Sequence, residues 1–518
     1  MHPKKLLSVL LSVTGLCLSM ASLANEQDLW RDLGGRGFQS ELAAKSSNTF
    51  DETVNGEGVI VSADRYRRMT LDVSALNNQL SALHRREQSS VVIRLPMPDG
   101  SFGVYRFEPS TLMPNALASK YPSIQTFLAV DQNNASNSGR FDLGPHGFHG
   151  MLMVEGERVL IDPELRGNTQ QYLIYYGKDA VSLSSRLSDT YHEVERQAAA
   201  AKSSIPAAKV STGDQLRTYR IAVSAVAEYT QFHGGTVEDG LAAVVTVINR
   251  VNEIFSRDLA VEFELVANND AIIYTNAATD PFENSDADVE TNAEVLSSQI
   301  GNGNFDIGHV FNTGGGGLAY DGVCDNGFKA RGMSGSGVPN GTLFYVDIVS
   351  HEIGHQLGAS HSFNGTEGSC AGNREASTAW EPGSGSSIMS YAGICGGQDL
   401  QFRADPFFHS ASIEQMLDYI TTGFGSGCGT LSDLANTAPF ANAGTDYTVP
   451  ANSPLLLTGS GEDNDGDVLT FSWDEFDVGT ASTNAASMVD NGSRPLFRFF
   501  DPTSSSERYL PQLKDVID

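Results

Sequence analysis

Residues 351–361 read His-Glu-Ile-Gly-His-Gln-Leu-Gly-Ala-Ser-His. On a helix, His351 and His355 lie about 40° apart around the axis, so both imidazoles face one side. Glu352 lies about 100° from His351 around the axis. It can therefore reach a water molecule on a metal bound by the two histidines without being a metal ligand itself. The apolar run 344–349 directly before this stretch favours a buried, rigid helix.

The third histidine of this run requires the helix to end. His361 is six positions beyond His355 and would lie about 240° around a continued helix, pointing away. Gly358 can end the helix, because it can adopt positive φ and turn the chain back. Three neutral imidazoles leave a fourth ligand position open for water, which is typical of a catalytic zinc site. The sequence therefore predicts that His351, His355 and His361 bind zinc and that Glu352 is the catalytic base.

This pattern resembles the metzincin signature, H-E-x-x-H-x-x-G-x-x-H, of zinc metallopeptidases. The stretch Ser387-Ile388-Met389-Ser390-Tyr391 resembles the methionine turn that completes the signature. The resemblance implies that Met389 forms an apolar floor beneath the zinc ligands. Tyr391 is similar to the tyrosine that approaches zinc, or the transition-state oxyanion, in astacins and serralysins. An ordinary core or loop tyrosine fits the sequence equally well.

From about residue 218 to residue 428 the chain is most similar to the reprolysin (adamalysin-like) group. The residues that carry this similarity are the glycine-rich run 314–317, Cys324, Cys370 and Cys395. The resemblance implies an α+β (α/β-type) catalytic domain with a mixed sheet and a helix that bears the zinc site. It also implies the disulfides Cys324–Cys428 and Cys370–Cys395, one of three connectivities open to four cysteines.

Cysteine usage in the chain is confined to two places. Cys17 lies near the N-terminus, and the other four cysteines all lie between residues 323 and 429. An even number in an exported chain favours two disulfides within one domain. Cysteine ligation of zinc is the alternative, but the sequence contains no C-x-x-C pair.

The N-terminus resembles an export signal. Lys4 and Lys5 precede an apolar stretch, 6–20, and Ser22-Leu23-Ala24 offers small residues for cleavage. A membrane anchor is the alternative, but the stretch is shorter than the roughly 20 apolar residues of a spanning helix. We expect residues 1–24 to be a signal peptide and the protein to be secreted, without a membrane span.

The overall charge restricts the class of partner. The chain has 33 basic and 63 acidic residues, for a net charge of -30. Nucleic acid binding is disfavoured, because it depends on lysine and arginine that displace counterions from phosphates.

Composition and patterning divide the remaining chain into three regions. Residues 25–205 contain strand-like runs such as 91–95 and 171–176 and are expected to form a strand-rich prosegment. It ends in a small-residue, basic stretch, 196–204, that is typical of a cleavage site. No cysteine lies between Cys17 and Cys324, so latency must come from other groups. The pair His146 and His149 fits either a metal site or a glycine-rich loop.

Residues 206–432 are expected to be the peptidase domain. We predict a strand at 216–223, a helix over 241–254 and strands at 261–266 and 272–274. The run 314–320 is predicted to be extended, with a backbone edge open to a peptide, although a glycine-rich loop is equally consistent.

Residues 433–518 resemble a polycystic-kidney-disease-type (PKD-like) domain. The alternating runs 455–458 and 468–473 predict a small β-sandwich, which ends before its last strands and suggests a fragment. Between them, Asp463, Asp465 and Asp467 fit a Ca²⁺ site or an acidic Asx turn. This region is expected to bind protein or glycan.

The functional expectation is a secreted zinc endopeptidase that hydrolyses protein or peptide substrates. Zinc would lower the pKa of its water to about 7, and Glu352 would accept the proton and pass it to the leaving amine. The alternatives are a catalytically silent metzincin-fold adhesion protein and a hydrolase of non-peptide substrates.

Overall fold

The structure is a computed structural model that describes residues 29–36, 62–84, 87–181, 211–450, 453–481 and 489–512. The predicted signal peptide, Cys17 and the linker 196–204 lie outside these residues. Within the described ranges, no helix combines the length and the apolar character needed to cross a membrane.

The N-terminal region is built on antiparallel strands, as its sequence predicts. Its elements are β1 (Trp30–Arg36), β2 (Ser62–Ala63), β3 (Arg67–Leu71), α1 (Val73–His84), β4 (Val91–Pro96), β5 (Phe102–Pro109), α2 (Asn115–Lys120), β6 (Gln125–Asp131), β7 (Ser138–Gly144), β8 (Gly147–Val154), β9 (Glu157–Leu165), β10 (Asn168–Tyr176) and β11 (Ala180–Val181). Nine of these strands form one sheet in the order β1-β3-β10-β9-β8-β7-β6-β5-β4, and β2 pairs with β11. The predicted strands at 91–95 and 171–176 are confirmed as β4 and β10. Helix α1 covers part of the sheet with Leu76, Leu80 and Leu83, whose spacing places them on one helical face.

The central region combines helices with a mixed sheet. Its elements are β12 (Gln215–Ala225), α3 (Ala227–Phe232), α4 (Val237–Leu259), β13 (Val261–Leu265), α5 (Asp288–Gln299), β14 (Ile307–Asn312), β15 (Gly316–Ala319), β16 (Gly332–Gly335), a π-helix (Leu343–Ser350), α6 (His351–Gln356), α7 (Ser410–Thr421) and β17 (Thr430–Asp433). The strand order is β13-β12-β14-β16-β15, and β17 pairs with the start of β12. Strands β13, β12, β14 and β16 are parallel, whereas β15 and β17 run antiparallel to their neighbours. The predicted mixed sheet is therefore confirmed.

Helix α4 has a recognisable capping structure at each end. Thr236 and Asp239 form a reciprocal capping box at its N-terminus, and Ala260 closes it in the left-handed conformation. The apolar positions predicted between 241 and 254 are buried in the largest apolar cluster of the chain. The extended run near 314–320 is confirmed as β15, which ends the described sheet.

The strand predicted at 272–274 is wrong. Residues Asn269–Ile272 form a 3-10 helix, and Ile273 makes only an isolated bridge to Ala225. The backbone groups of Val223 on β12 already have a hydrogen-bond partner here. The Asn269 side chain accepts from the Val223 N–H at 2.8 Å and donates to the Val223 carbonyl at 3.0 Å. A side chain therefore replaces the ladder that a further strand would have formed.

The C-terminal region contains β18 (Phe440–Asn442), β19 (Leu455–Thr458), β20 (Ser460–Glu462) and β21 (Glu507–Leu510). Strand β18 pairs with β20 and β19 pairs with β21, both antiparallel. The run 468–473 was predicted to be a strand, but it is not. Only Phe471 pairs, in a bridge with Thr503, while Trp473 bonds through its indole to Ser506 and through its carbonyl to the Arg508 guanidinium. The PKD-like assignment stays a prediction.

The N-terminal sheet packs directly on the central region through helix α4. One apolar cluster joins N-terminal residues Leu112, Met113, Leu117, Ile124, Met151, Leu160, Leu173 and Tyr175 to the buried face of α4. Inside this contact, Arg250 of α4 forms an ion pair with Asp162, and both side chains are almost fully buried. The two regions therefore share a core.

Candidate metal centre

The three histidines are held at the end of a rigid helical segment. The π-helix Leu343–Ser350 runs directly into α6, and Phe344, Ile348 and Ile353 are completely buried along this segment. Gly358 has φ of 95°, and its N–H donates to the His355 carbonyl at 2.8 Å. The predicted helix break at Gly358 is therefore confirmed.

His351, His355 and His361 converge in space. Their candidate ligand atoms all lie within 4.8 Å of one another, and each residue is buried. The Nε2 atoms of His351 and His355 are 3.1 Å apart. Over the described parts of the chain, this is the only cluster of three or more histidine, cysteine or acidic side chains with such spacing.

The hydrogen bonds of the three rings fix which nitrogen is available to a metal. Nδ1 of His351 bonds to the Ile388 carbonyl at 2.7 Å, Nδ1 of His355 to the Ala359 carbonyl at 2.8 Å, and Nδ1 of His361 to the Asn373 carbonyl at 2.7 Å. A carbonyl oxygen can only accept, so each Nδ1 carries the proton and each Nε2 keeps its lone pair. Two neighbouring lone pairs repel unless a cation lies between them. Ligand nitrogens on a tetrahedral zinc ion are about 3.3 Å apart, so the residues present fit zinc.

Glu352 is fully buried and lies against the edge strand of the sheet. A Cβ at Gly317 of β15 would overlap the Glu352 carboxylate, so any larger residue at this position would have to displace that carboxylate. Strand β15 therefore passes directly beside the predicted catalytic base.

Met389 lies beneath the helix that carries the first two histidines. It is fully buried, and its sulfur lies 2.6 Å from the Cβ that a side chain at Gly354 would have. Its carbonyl accepts from the Ser362 N–H at 3.0 Å, next to the third histidine. This is the position expected for the floor of the site, and that role stays a prediction.

Tyr391 lies beside the histidines rather than in a remote part of the core. Its ring centroid is 4.7 Å from that of His361 and 5.7 Å from that of His351. The ring also stacks on Phe363 at 4.5 Å. Proximity suits both a role in catalysis and a purely packing role, so the predicted function of Tyr391 stays open to test.

Both disulfides pair as the resemblance implies. Cys324 is bonded to Cys428, and Cys370 is bonded to Cys395. The second disulfide is fully buried and packs with Phe363 and Tyr391.

Sequence reasoning missed a buried network behind the site. His309 on β14 bonds through Nδ1 to the Gln356 side chain at 2.8 Å and through Nε2 to Ser334 at 2.9 Å. Gln356 in turn donates to the Gly308 carbonyl at 2.9 Å. Burial lowers the pKa of His309 to about 4, so the ring is neutral at physiological pH. The network fastens the end of α6 to the sheet.

The alternative metal sites raised by the sequence are not supported. Asp463 accepts from the N–H groups of Asp465 at 2.8 Å and Asp467 at 3.1 Å, which is the Asx-turn arrangement rather than a Ca²⁺ cage. His149 pairs with Asp142 at 3.2 Å. His146 contacts the Asp239 carbonyl of α4 at 2.9 Å. Asp463 therefore serves a turn, His149 contacts the neighbouring strand of the N-terminal sheet, and His146 contacts the central region.

A mixed sheet and a buried centre of three histidines are the features expected of a zinc metallopeptidase. Residues 215–419 match the family described as metallo-peptidase family M12B, reprolysin-like. This match covers the three histidines and supports a zinc metallopeptidase of the reprolysin-like kind over these residues, in agreement with the sequence motif.

Among solved structures, the chain is similar to metalloproteinase-II from Bacteroides fragilis, with 12% identity and a TM-score of 0.37. The similarity covers 66% of this chain and 95% of that protein. No curated protein matches the chain significantly.

Proposed function

We propose that this protein is a secreted endopeptidase, made as a precursor, in which His351, His355 and His361 hold zinc and Glu352 is the general base. The observation that carries the proposal is the set of three Nδ1-to-carbonyl bonds. They hold the three rings so that their candidate ligand nitrogens lie within 4.8 Å of one another. Three histidines gathered in this way beside a buried carboxylate are the arrangement that a catalytic zinc site requires.

The proposed chemistry assigns one task to each group. Zinc, when bound, supplies a Lewis acid that polarises the scissile carbonyl and lowers the pKa of a water ligand. Glu352 then accepts the proton of the attacking water and delivers it to the leaving amine, so that no covalent intermediate forms. Its place beside Gly317 supports this, because a peptide paired along β15 would bring its scissile bond close to the carboxylate.

The proposal extends to export and maturation. We assign residues 1–24 to a signal peptide, 25–205 to a prosegment, 206–432 to the peptidase domain and 433–518 to a PKD-like accessory region. Two disulfides and the absence of a membrane-spanning helix in the described residues are compatible with an extracellular protein.

The decisive experiment compares the wild-type chain with Glu352→Gln and His361→Ala. We expect Glu352→Gln to retain zinc but to lose casein cleavage by at least about 100-fold, since general base catalysis contributes about 10²–10⁴. His361→Ala is expected to lose the metal as well. Glu294→Gln, an exposed substitution on α5, is the matched control and should change neither property.

Two outcomes would contradict the proposal. Casein cleavage by Glu352→Gln at the wild-type rate would exclude the base role. A zinc-loaded wild-type protein that cleaves no casein or other protein substrate after removal of the prosegment would favour the silent, binding alternative.

A further inference from the structure

Two of the three ligand histidines take their hydrogen-bond acceptors from one segment of the chain. Asn373, the acceptor for His361, and Ile388, the acceptor for His351, both lie between Cys370 and Cys395. The acceptor for His355, by contrast, is the Ala359 carbonyl only four residues away. Two imidazoles therefore depend on the position of a loop that a disulfide closes.

Regular secondary structure does not hold this loop. Between residues 371 and 395, all of which the structure describes, there is no helix and no strand, and Glu381 makes a single isolated bridge to Phe363. Buried Glu381 instead organises the middle of the loop by accepting from the N–H groups of Ser386 at 2.8 Å and Ser387 at 3.1 Å. The loop is thus held by side chains, by the covalent closure and by single backbone bonds to other segments, such as that from the Ile388 N–H to the Phe407 carbonyl at 3.0 Å.

The disulfide is connected directly to the Asn373 acceptor and, through Tyr391, to the segment that carries the Ile388 acceptor. The Asn373 N–H donates to the Cys370 carbonyl at 3.3 Å, and its side-chain amide donates to the Ser369 carbonyl at 2.9 Å. At the other end, Cys395 packs against Tyr391, three residues after Ile388. Opening the disulfide would release Cys370, which anchors Asn373, and Cys395, which packs on the Tyr391 side of Ile388.

We propose that the Cys370–Cys395 disulfide is a positioning element of the metal centre: it fixes the Asn373 and Ile388 carbonyls, and tight zinc binding requires it. The inference rests on the zinc site of the proposed function. Zinc loading is then coupled to disulfide formation, so the enzyme binds its metal more tightly where thiols are oxidised.

The expected loss of zinc affinity can be estimated from what happens when a ligand histidine loses the hydrogen-bond partner of its second ring nitrogen. Loss of such a partner typically weakens metal affinity about 10–100-fold, because the ring loses its orientation and basicity. Two rings are affected here. We therefore expect the double variant Cys370→Ala/Cys395→Ala to bind zinc at least about 10-fold more weakly than the wild type.

The chain contains its own matched control. The Cys324–Cys428 disulfide has the same chemistry but a sequence separation of 104 residues, against 25 for Cys370–Cys395. Neither Cys324 nor Cys428 provides an acceptor to an imidazole. Closing the longer loop constrains the unfolded chain more, so Cys324→Ala/Cys428→Ala should lower thermal stability at least as much. Its zinc affinity should stay within about twofold of the wild type.

The experiment measures the zinc dissociation constant of the full-length protein by competition with a chromophoric chelator, without any assay of activity. Weaker binding in the Cys370/Cys395 variant alone supports the proposal. Unchanged affinity in that variant, or an equal loss in both variants, overturns it. If the wild type itself binds no zinc, the proposed function fails as well, which is a different and recognisable result.

A second variant covers the case in which Cys370→Ala/Cys395→Ala does not fold, as judged by circular dichroism. Asn373→Ala removes only the bond to Ser369 and keeps the disulfide. It should weaken zinc binding severalfold with a native spectrum, and unchanged affinity in this variant overturns the proposal.

Discussion

We predict that His309, the buried neutral histidine beside helix α6, makes the protein less stable in acid. His309 has a pKa of about 4, below the ordinary value of 6.5, because burial disfavours its charged form. The unfolded chain therefore binds this proton first, and stability falls as the pH drops from about 6.5 toward 4. Between about pH 8 and pH 5 this one group should cost about 2 kcal/mol of unfolding free energy.

The assay is urea unfolding followed by tryptophan fluorescence at about pH 8, 6 and 5. His309→Gln cannot titrate, so its unfolding free energy should fall by about 2 kcal/mol less than that of the wild type over this range. At about pH 8 the variant itself should be less stable by about 1–3 kcal/mol, because Gln356 and Ser334 lose their buried partner.

Ser334→Ala is the matched control for this prediction. It removes one hydrogen bond at a cost of about 1 kcal/mol but retains the titrating ring. The control should therefore keep the acid sensitivity of the wild type. Equal pH dependence in the wild type and His309→Gln would refute the assignment of this loss to His309.

Three other substitutions test separate contacts. Gly317→Ala should lower kcat with zinc content unchanged, because the new methyl group displaces the Glu352 carboxylate, and wild-type kcat would contradict this. Asp162→Asn should destabilise the chain by about 3–5 kcal/mol in urea unfolding, because Arg250 keeps a buried charge without a counter-charge, and a loss below about 1 kcal/mol would argue against a buried pair. Arg374 follows Asn373, the acceptor of His361, and its guanidinium donates to the Gly479 carbonyl of the C-terminal region at 2.6 Å. Arg374→Ala should therefore speed zinc release to a chelator. An unchanged release rate would show that Arg374 serves packing alone.

The sequence predicts the inner part of the metal centre well, because that part is local. Helical geometry alone brings His351 and His355 together, and the conformational freedom of Gly358 explains the return of His361. Disulfide pairing required a family resemblance, since spacing leaves three connectivities open.

The rest of the site depends on contacts between distant parts of the chain. The Ile388 and Asn373 acceptors are backbone groups that any residue type would provide, so composition gives no signal for them. In the sequence, His309 is 47 residues from Gln356 and gives no sign of a partner. Only the fold, through β14, brings the two side chains together. The strand expected at 272–274 failed for a related reason, because the side chain of Asn269 takes the backbone groups of Val223.

The interface, or seam, between the N-terminal sheet and the central region bears on whether the N-terminal region can be released from the proposed precursor. Several polar contacts cross it, among them Thr246 to Asp142 at 2.7 Å, His146 to the Asp239 carbonyl at 2.9 Å, and the ion pairs Arg250 to Asp162 and Arg140 to Glu262. Apolar residues of similar size would often stabilise a permanent seam equally or better, because burying charges is expensive. Polar side chains on the central region, in contrast, can be hydrated once the N-terminal region leaves. Because apolar residues of both regions are also buried in this interface, release of the N-terminal region, as proposed above, would expose apolar as well as polar surface of the central region.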